Sequence, residues 1–223
     1  MNKLMFSISA ATMGSLLAVG TASADFQGIS IDVVDNGMGL GTTYRVYVDV
    51  EAGDQVNAIF GDSVDVLTVN GVDGASFYQN SFGGATSTSI NSSFFSFVPS
   101  LEWDSYVTIG ALHSDGTPFG NNALLDIGID FSSFEAGGAI VTDNGSWFAT
   151  PADDQVFELD GRVLIGQFTL VGDVEGIISI QGKNADLSNW QERSIQFSSV
   201  VIPAPGAIAL LGLAGLAARR RRS

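Results

Sequence analysis

The sequence predicts an all-β fold, an antiparallel β-sandwich with a jelly-roll-like path, and three observations predict it. Residues 43–50 alternate cleanly. Tyr44, Val46, Val48 and Val50 face one way, and Arg45, Tyr47 and Asp49 face the other. That period of two marks a half-buried strand. Six Asn-Gly or Asp-Gly pairs punctuate the chain: Asn36-Gly37, Asn70-Gly71, Asp73-Gly74, Asp115-Gly116, Asn144-Gly145 and Asp160-Gly161. Such pairs tolerate the positive φ of tight turns. Between residues 25 and 201, no helical period of apolar residues persists for three turns.

The elements follow in order. Strand-like segments occupy residues 28–34, 43–50, 56–60, 64–69, 106–112, 124–131, 163–170, 174–181 and 194–201. Residues 162–170 and 174–181, joined by Val171-Gly172-Asp173, read as a hairpin. Residues 91–101 have room for a short helix, limited by Pro99. Residues 86–100, with Phe94, Phe95 and Phe97, read as a long connection between sheets that lays aromatics over one end of the sandwich. A single domain is expected over residues 25–201, a size that buries a sizeable core.

The two ends carry address labels. Lys3 starts the chain positively, an apolar run follows to about Val19, and Ala22-Ser23-Ala24 places small residues where a signal peptidase reads. Residues 1–24 are therefore expected to be a secretory signal peptide, cut after Ala24. At the other end, residues 202–223 hold a Pro/Gly entry, an uncharged apolar stretch and four arginines, Arg219, Arg220, Arg221 and Arg222. The apolar stretch favours lipid, and the arginines stay on the cytoplasmic side. Residues 202–218 lie at the short end of the roughly 17–25 residues that span a bilayer.

The tail resembles the PEP-CTERM sorting signal of bacteria with an outer membrane. The resemblance is carried by Pro203, Pro205, Gly206, the Leu/Ala/Gly run from Leu210 to Leu216, and the arginine cluster. It implies recognition by an exosortase, a membrane protease-transpeptidase, and removal of the tail on export. The central Glu of that signal is Ala204 here. An ordinary single-span membrane anchor is the alternative, and either reading puts the body outside the cytoplasmic membrane. The body itself resembles a family of uncharacterised exported bacterial domains that carry such tails. The matching stretches are Thr43-Tyr44-Arg45-Val46-Tyr47, residues 53–62, Phe77-Tyr78-Gln79-Asn80, residues 99–105, residues 130–134 and Gly161-Arg162-Val163. That resemblance implies no activity.

Composition narrows the function further. The whole chain has a formal net charge of −15. All 24 acidic residues lie between the two ends, against only Arg45, Arg162, Lys183 and Arg193, so the body carries −20. Such a surface repels nucleic-acid phosphates and anionic lipid headgroups. It suits a saline medium or divalent cations, which screen self-repulsion. The absence of cysteine excludes disulfides, thiol catalysis and iron–sulfur clusters. A single histidine, His113, excludes a His-rich zinc site built from one chain.

Candidate chemistry is sparse. His113-Ser114-Asp115 has the residue types of a triad, but triad members converge from different elements, and sequence neighbours in extended chain point apart. Glu102, Asp104, Glu135 and Glu158 are the candidates for a glycosidase carboxylate pair. Calcium prefers hard oxygen ligands gathered on loops. Its candidate ligands are Asp32, Asp35 and Asn36; Asp62 and Asp65; Asp153 and Asp154; and Asn184 and Asp186. None follows the EF-hand order. Phe77, Tyr78, Trp103, Trp147 and Trp190 are the aromatics to test as sugar-stacking platforms.

These readings favour an exported, non-catalytic protein of the cell envelope or extracellular matrix. The alternative is a calcium-assisted carbohydrate-binding or adhesive module, and a secreted hydrolase ranks third.

Overall fold

The computed structural model describes residues 26–200. The expected signal peptide with Ala22 and Ala24, and the tail with Pro203, Pro205, Gly206 and Arg219 to Arg222, lie outside the described residues. Within them no helix is long and apolar enough to cross a membrane.

Two antiparallel sheets face each other. The first has the order β1 (Gly28–Val34), β2 (Thr42–Asp49), β9 (Arg162–Leu170), β5 (Tyr106–Val107). The second holds β6 (Leu125–Ile127), β8 (Gly145–Phe148), β3 (Gln55–Gly61), β10 (Val174–Lys183), β4 (Leu67–Gly71) and β7 (Ile140–Thr142), with β11 (Asn189–Ser198) on the far side of β10. One short helix, α1 (Ser132–Glu135), precedes β7. The chain passes repeatedly between the sheets, as jelly-roll sandwiches do.

The second sheet is simpler than its strand count. Gln55 and Phe60 of β3 pair with Lys183 and Ser179, and Thr68 and Gly71 of β4 continue along the same strand to Ile177 and Val174. β3 and β4 are thus two halves of one lane, interrupted by residues 62–66. β7 and β8 form a second broken lane beside it, since Ile140 pairs with Val69 and Phe148 with Ala58. A Cβ on Gly61 would stand 2.5 Å from the backbone nitrogen of Leu67, so glycine is what lets the lane pinch shut beneath the extruded loop.

Burial follows the alternation. In β2, Tyr44, Val46 and Val48 enter the core while Arg45, Tyr47 and Asp49 are only part-buried. They meet Val56, Ile59, Trp147, Ile178 and Ile180 of the opposite sheet. Phe134 of α1 joins Phe77 and Phe168 there, with ring centroids 5.3 and 6.2 Å away. β9 is buried on both faces after Arg162. Residues 72–105 cover its outer face: Gln167 Nε2 donates to the carbonyls of Glu102 and Asp104, and the Thr169 N–H donates to Ser105 Oγ at 2.9 Å. A small second cluster of Ile90, Leu101 and Tyr106, flanked by Phe95 and Val98, seals this cover.

Several sequence expectations need correction. β9 and β10 are not a hairpin. They lie in different sheets, and residues 171–173 turn the corner between them. Asn144-Gly145 and Asn70-Gly71 are not hairpin turns either: Gly145 opens β8, which continues the lane of β7, and Gly71 closes β4 just before the 3-10 turn at Val72–Gly74. The segment 106–112 contributes two strand residues and 124–131 contributes three. The long connection holds 3-10 turns at Ser92–Phe94 and Pro99–Trp103 in place of a helix. Phe94 and Phe97 point to solvent, at 48% and 82% exposure, and the packed residues of that segment are Phe95 and Val98.

Candidate functional site

Most carboxylates singled out in the sequence have a protein partner. Asp32, on β1, takes a bidentate pair of hydrogen bonds from Arg162 at 3.0 and 2.8 Å, and the guanidinium carbon lies 4.0 Å above the Tyr47 ring. Asp35 does not join Asp32. Its Oδ1 accepts the Gly37 N–H in the β1–β2 turn, while Asn36 ties that turn to the Gly41 carbonyl.

Asp62 and Asp65 do stand together, in the extruded loop 62–66, and what they share is a guanidinium. Arg193 reaches over from β11 to both carboxylates, and Ser194 donates its hydroxyl to Asp65. Ser194 takes positive φ at the bulge where β11 slips against β10. The Arg193 bond, helped by the Asp65 and Val64 N–H groups, holds the Asp62 carboxyl well below the usual range; the Ser194 hydroxyl does the same for Asp65. Asp153 accepts the Thr150 N–H and hydroxyl, and Asp154 opens a 3-10 turn. Asp186 accepts from the Ser188 N–H and hydroxyl. Among the described residues, no group of three or more His, Cys, Asp or Glu side chains is placed to hold a metal.

The proposed carboxylate pair for glycoside hydrolysis does not form a cleft. Asp104 is fully buried, and its carboxylate accepts the N–H groups of Asn80, Gly84 and Ser105 at 2.7, 3.2 and 3.0 Å. Burial pushes its carboxyl up to about 7, against the pull of those three donors. A side chain on Gly83 would overlap the carboxylate, so backbone fills the space a substrate would need. Glu135 Oε1 reaches the Ala85 N–H at 3.4 Å, and Glu158 accepts the Gly161 N–H at 2.7 Å in a different loop. His113 stacks edge-on against Phe95, and burial lowers its pKa. Asp115 turns away to Ser92 and Thr117.

The aromatic platforms also divide. Phe77, Trp147 and Trp190 are core residues, and the Trp147 indole donates to the Thr108 carbonyl. Tyr78 and Trp103 keep partial exposure. A different groove holds surface aromatics. Tyr47, Pro118, Phe119, Phe157, Asp160 and Arg162 line a space of about 140 Å³, below the roughly 300–1,000 Å³ of ligand pockets.

The residue that sequence reasoning passed over is Asp54. It opens the lane of β3, is 3% exposed, and reaches across to the β10–β11 loop. The Ala185 N–H donates to its Oδ1 at 2.8 Å. The signal available in the sequence was Gly53-Asp54 directly before Gln55 and Asn57, polar residues that the strand buries.

Comparison of the chain with protein-family models, with curated proteins and with solved structures found no match.

Proposed function

We propose that the protein is an exported, non-catalytic component of the cell envelope or extracellular matrix, sorted through its C-terminal tail. The observation that carries this reading is the order of residues in one chain: Lys3, an apolar run and Ala22-Ser23-Ala24 within 1–24, and at 202–223 Pro203, Pro205, Gly206, an uncharged apolar run and four arginines. Signal peptidase and an exosortase-type enzyme are its processing partners. The geometry is compatible with display. Ser199, near the end of the described residues, is tied to the β9–β10 corner through the Val174 carbonyl and Asp173. The loops bearing Asp54 and Asn184 lie at the opposite end of β10, a ten-residue strand of about 33 Å. Carboxylates committed to Arg162, Arg193 and backbone donors suit a rigid acidic body.

The test is fractionation of cells that possess an exosortase, producing the full chain or a variant with Arg219 to Arg222 changed to serine. The full chain should leave the cytoplasmic membrane for the outer surface or medium, and the variant should not. Identical distribution of the two would overturn the reading.

The second reading is a carbohydrate-binding module, favoured by the groove where Pro118, Phe119 and Phe157 stand beside Arg162 and Asp160. Retention on a polysaccharide column that Phe157→Ala abolishes would establish it.

A further inference from the structure

The geometry points to a hard-cation site, of the calcium class, between Asp54 and Asn184 at the end of β10 remote from Ser199. This inference does not depend on how the protein is exported. Asp54 Oδ1 takes the Ala185 N–H, but Asp54 Oδ2 is buried and has no donor. Asn184, the residue before Ala185, spends its Nδ2 on Ser188 Oγ at 3.0 Å, and its Oδ1 is likewise buried without a donor. The two loops are pressed together: a Cβ on Gly53 would lie 3.2 Å from that of Ala185.

Two buried oxygens that only accept, one of them carrying formal charge, need a partner that only attracts oxygen. Among the described residues no basic side chain donates to either oxygen. Arg45 binds Gln167, Arg162 binds Asp32, Arg193 binds Asp62 and Asp65, and Lys183 donates to the Leu187 carbonyl and Asn189. A water would supply hydrogens but leave the charge of Asp54 uncompensated, in a body of net charge −20. A divalent cation compensates it. One carboxylate and one amide carbonyl provide two of the six to eight oxygens calcium takes. So few charged ligands imply weak binding, with a dissociation constant of about 10⁻⁴–10⁻³ M, the range of extracellular modules.

The experiment uses the full chain in detergent, titrated with Tb³⁺ and competed with Ca²⁺. Trp190 pairs with Gly182, two residues before Asn184, and is the indole expected to sensitise the lanthanide emission. Emission should rise on binding and fall as Ca²⁺ competes. Asp54→Asn should weaken binding at least tenfold, Asn184→Asp should tighten it severalfold, and Asp35→Asn, in the β1–β2 turn, should change nothing. Wild-type affinity in Asp54→Asn, or no binding by the native chain at millimolar Ca²⁺, would overturn the site. If Asp54→Asn does not fold, Asn184→Asp decides alone, and unchanged affinity there sinks the proposal.

Discussion

Asp104 takes the backbone N–H of Asn80 at 2.7 Å across 24 residues of chain, and this bond closes the long connection between the sheets onto itself. Gln167 of β9 donates to the carbonyls of both Glu102 and Asp104, so the closed connection is also riveted to the first sheet. The latch therefore explains how a segment with little regular structure covers the outer face of β9.

The latch has a pH signature. Asp104 titrates near 7 in the folded chain and near 3.8 as an ordinary carboxyl. The folded protein holds this proton more tightly than the unfolded one. Its contribution is fully present below about pH 4 and is lost as pH rises to about 7, an effect of roughly 4 kcal/mol at most. Asp115 works in the opposite sense: the Ser92 hydroxyl, then Thr117, lower its carboxyl to about 2, so its contribution is lost as pH falls from 4 to 2. Urea unfolding of the wild type beside Asp104→Asn isolates this part, because His113, whose pKa burial lowers, acts in the opposite sense over the same window. Asp104→Asn should flatten the slope between pH 4 and 7, and an unchanged slope would remove Asp104 from this role.

Gly182 should tolerate no side chain. It pairs with Trp190 across β10 and β11, and a Cβ would overlap both the indole and the Gln55 carbonyl. Gly182→Ala should destabilise by roughly 1–3 kcal/mol through overpacking. Gly176 repeats the arrangement under Phe197, where a Cβ would stand 2.6 Å from the ring. Chemical denaturation of both alanine variants checks this, and full stability in either would contradict the packing described.

Tyr44 should hold the β9–β10 corner. Its hydroxyl donates to the Gly172 carbonyl at 3.0 Å and lies 3.2 Å from Asp173 Oδ1. Tyr44→Phe should lower stability by about 1 kcal/mol, with the urea m-value unchanged. Amide exchange at Val174 should quicken in the variant.

Arg193 should matter through salt. Its pairs with Asp62 and Asp65 are largely exposed, so the gain is small and screened. Arg193→Met should lower the melting temperature slightly in dilute buffer and not at all in 1 M NaCl, where the Debye length is about 3 Å. A large deficit that persists in high salt would show that packing of the guanidinium on Phe60 dominates instead.

Much of the fold was legible because β2 displays its two faces openly, and the observed strand differs from the expected one by a residue at each end. Turn chemistry was less decisive. Val171-Gly172-Asp173 bends the chain equally well into a hairpin or between sheets, and only the pairing of β9 with β2 distinguishes them. β7 and β8 were missed because each is three or four residues long, too short for a period to show. The acids were visible as types but not as partners. Asp62 and Asp65 meet Arg193 across 131 and 128 residues, and Asp54 meets Ala185 across 131. What distinguishes Asp54 is burial and a missing donor, and both come from the tertiary fold.

The intact mass of the mature protein tests export with processing at both ends most directly. The chain should be recovered from the cell surface or medium, begin at Asp25 and lack Arg219 to Arg222. A cytoplasmic chain whose mass still runs from Met1 to Ser223 would contradict it.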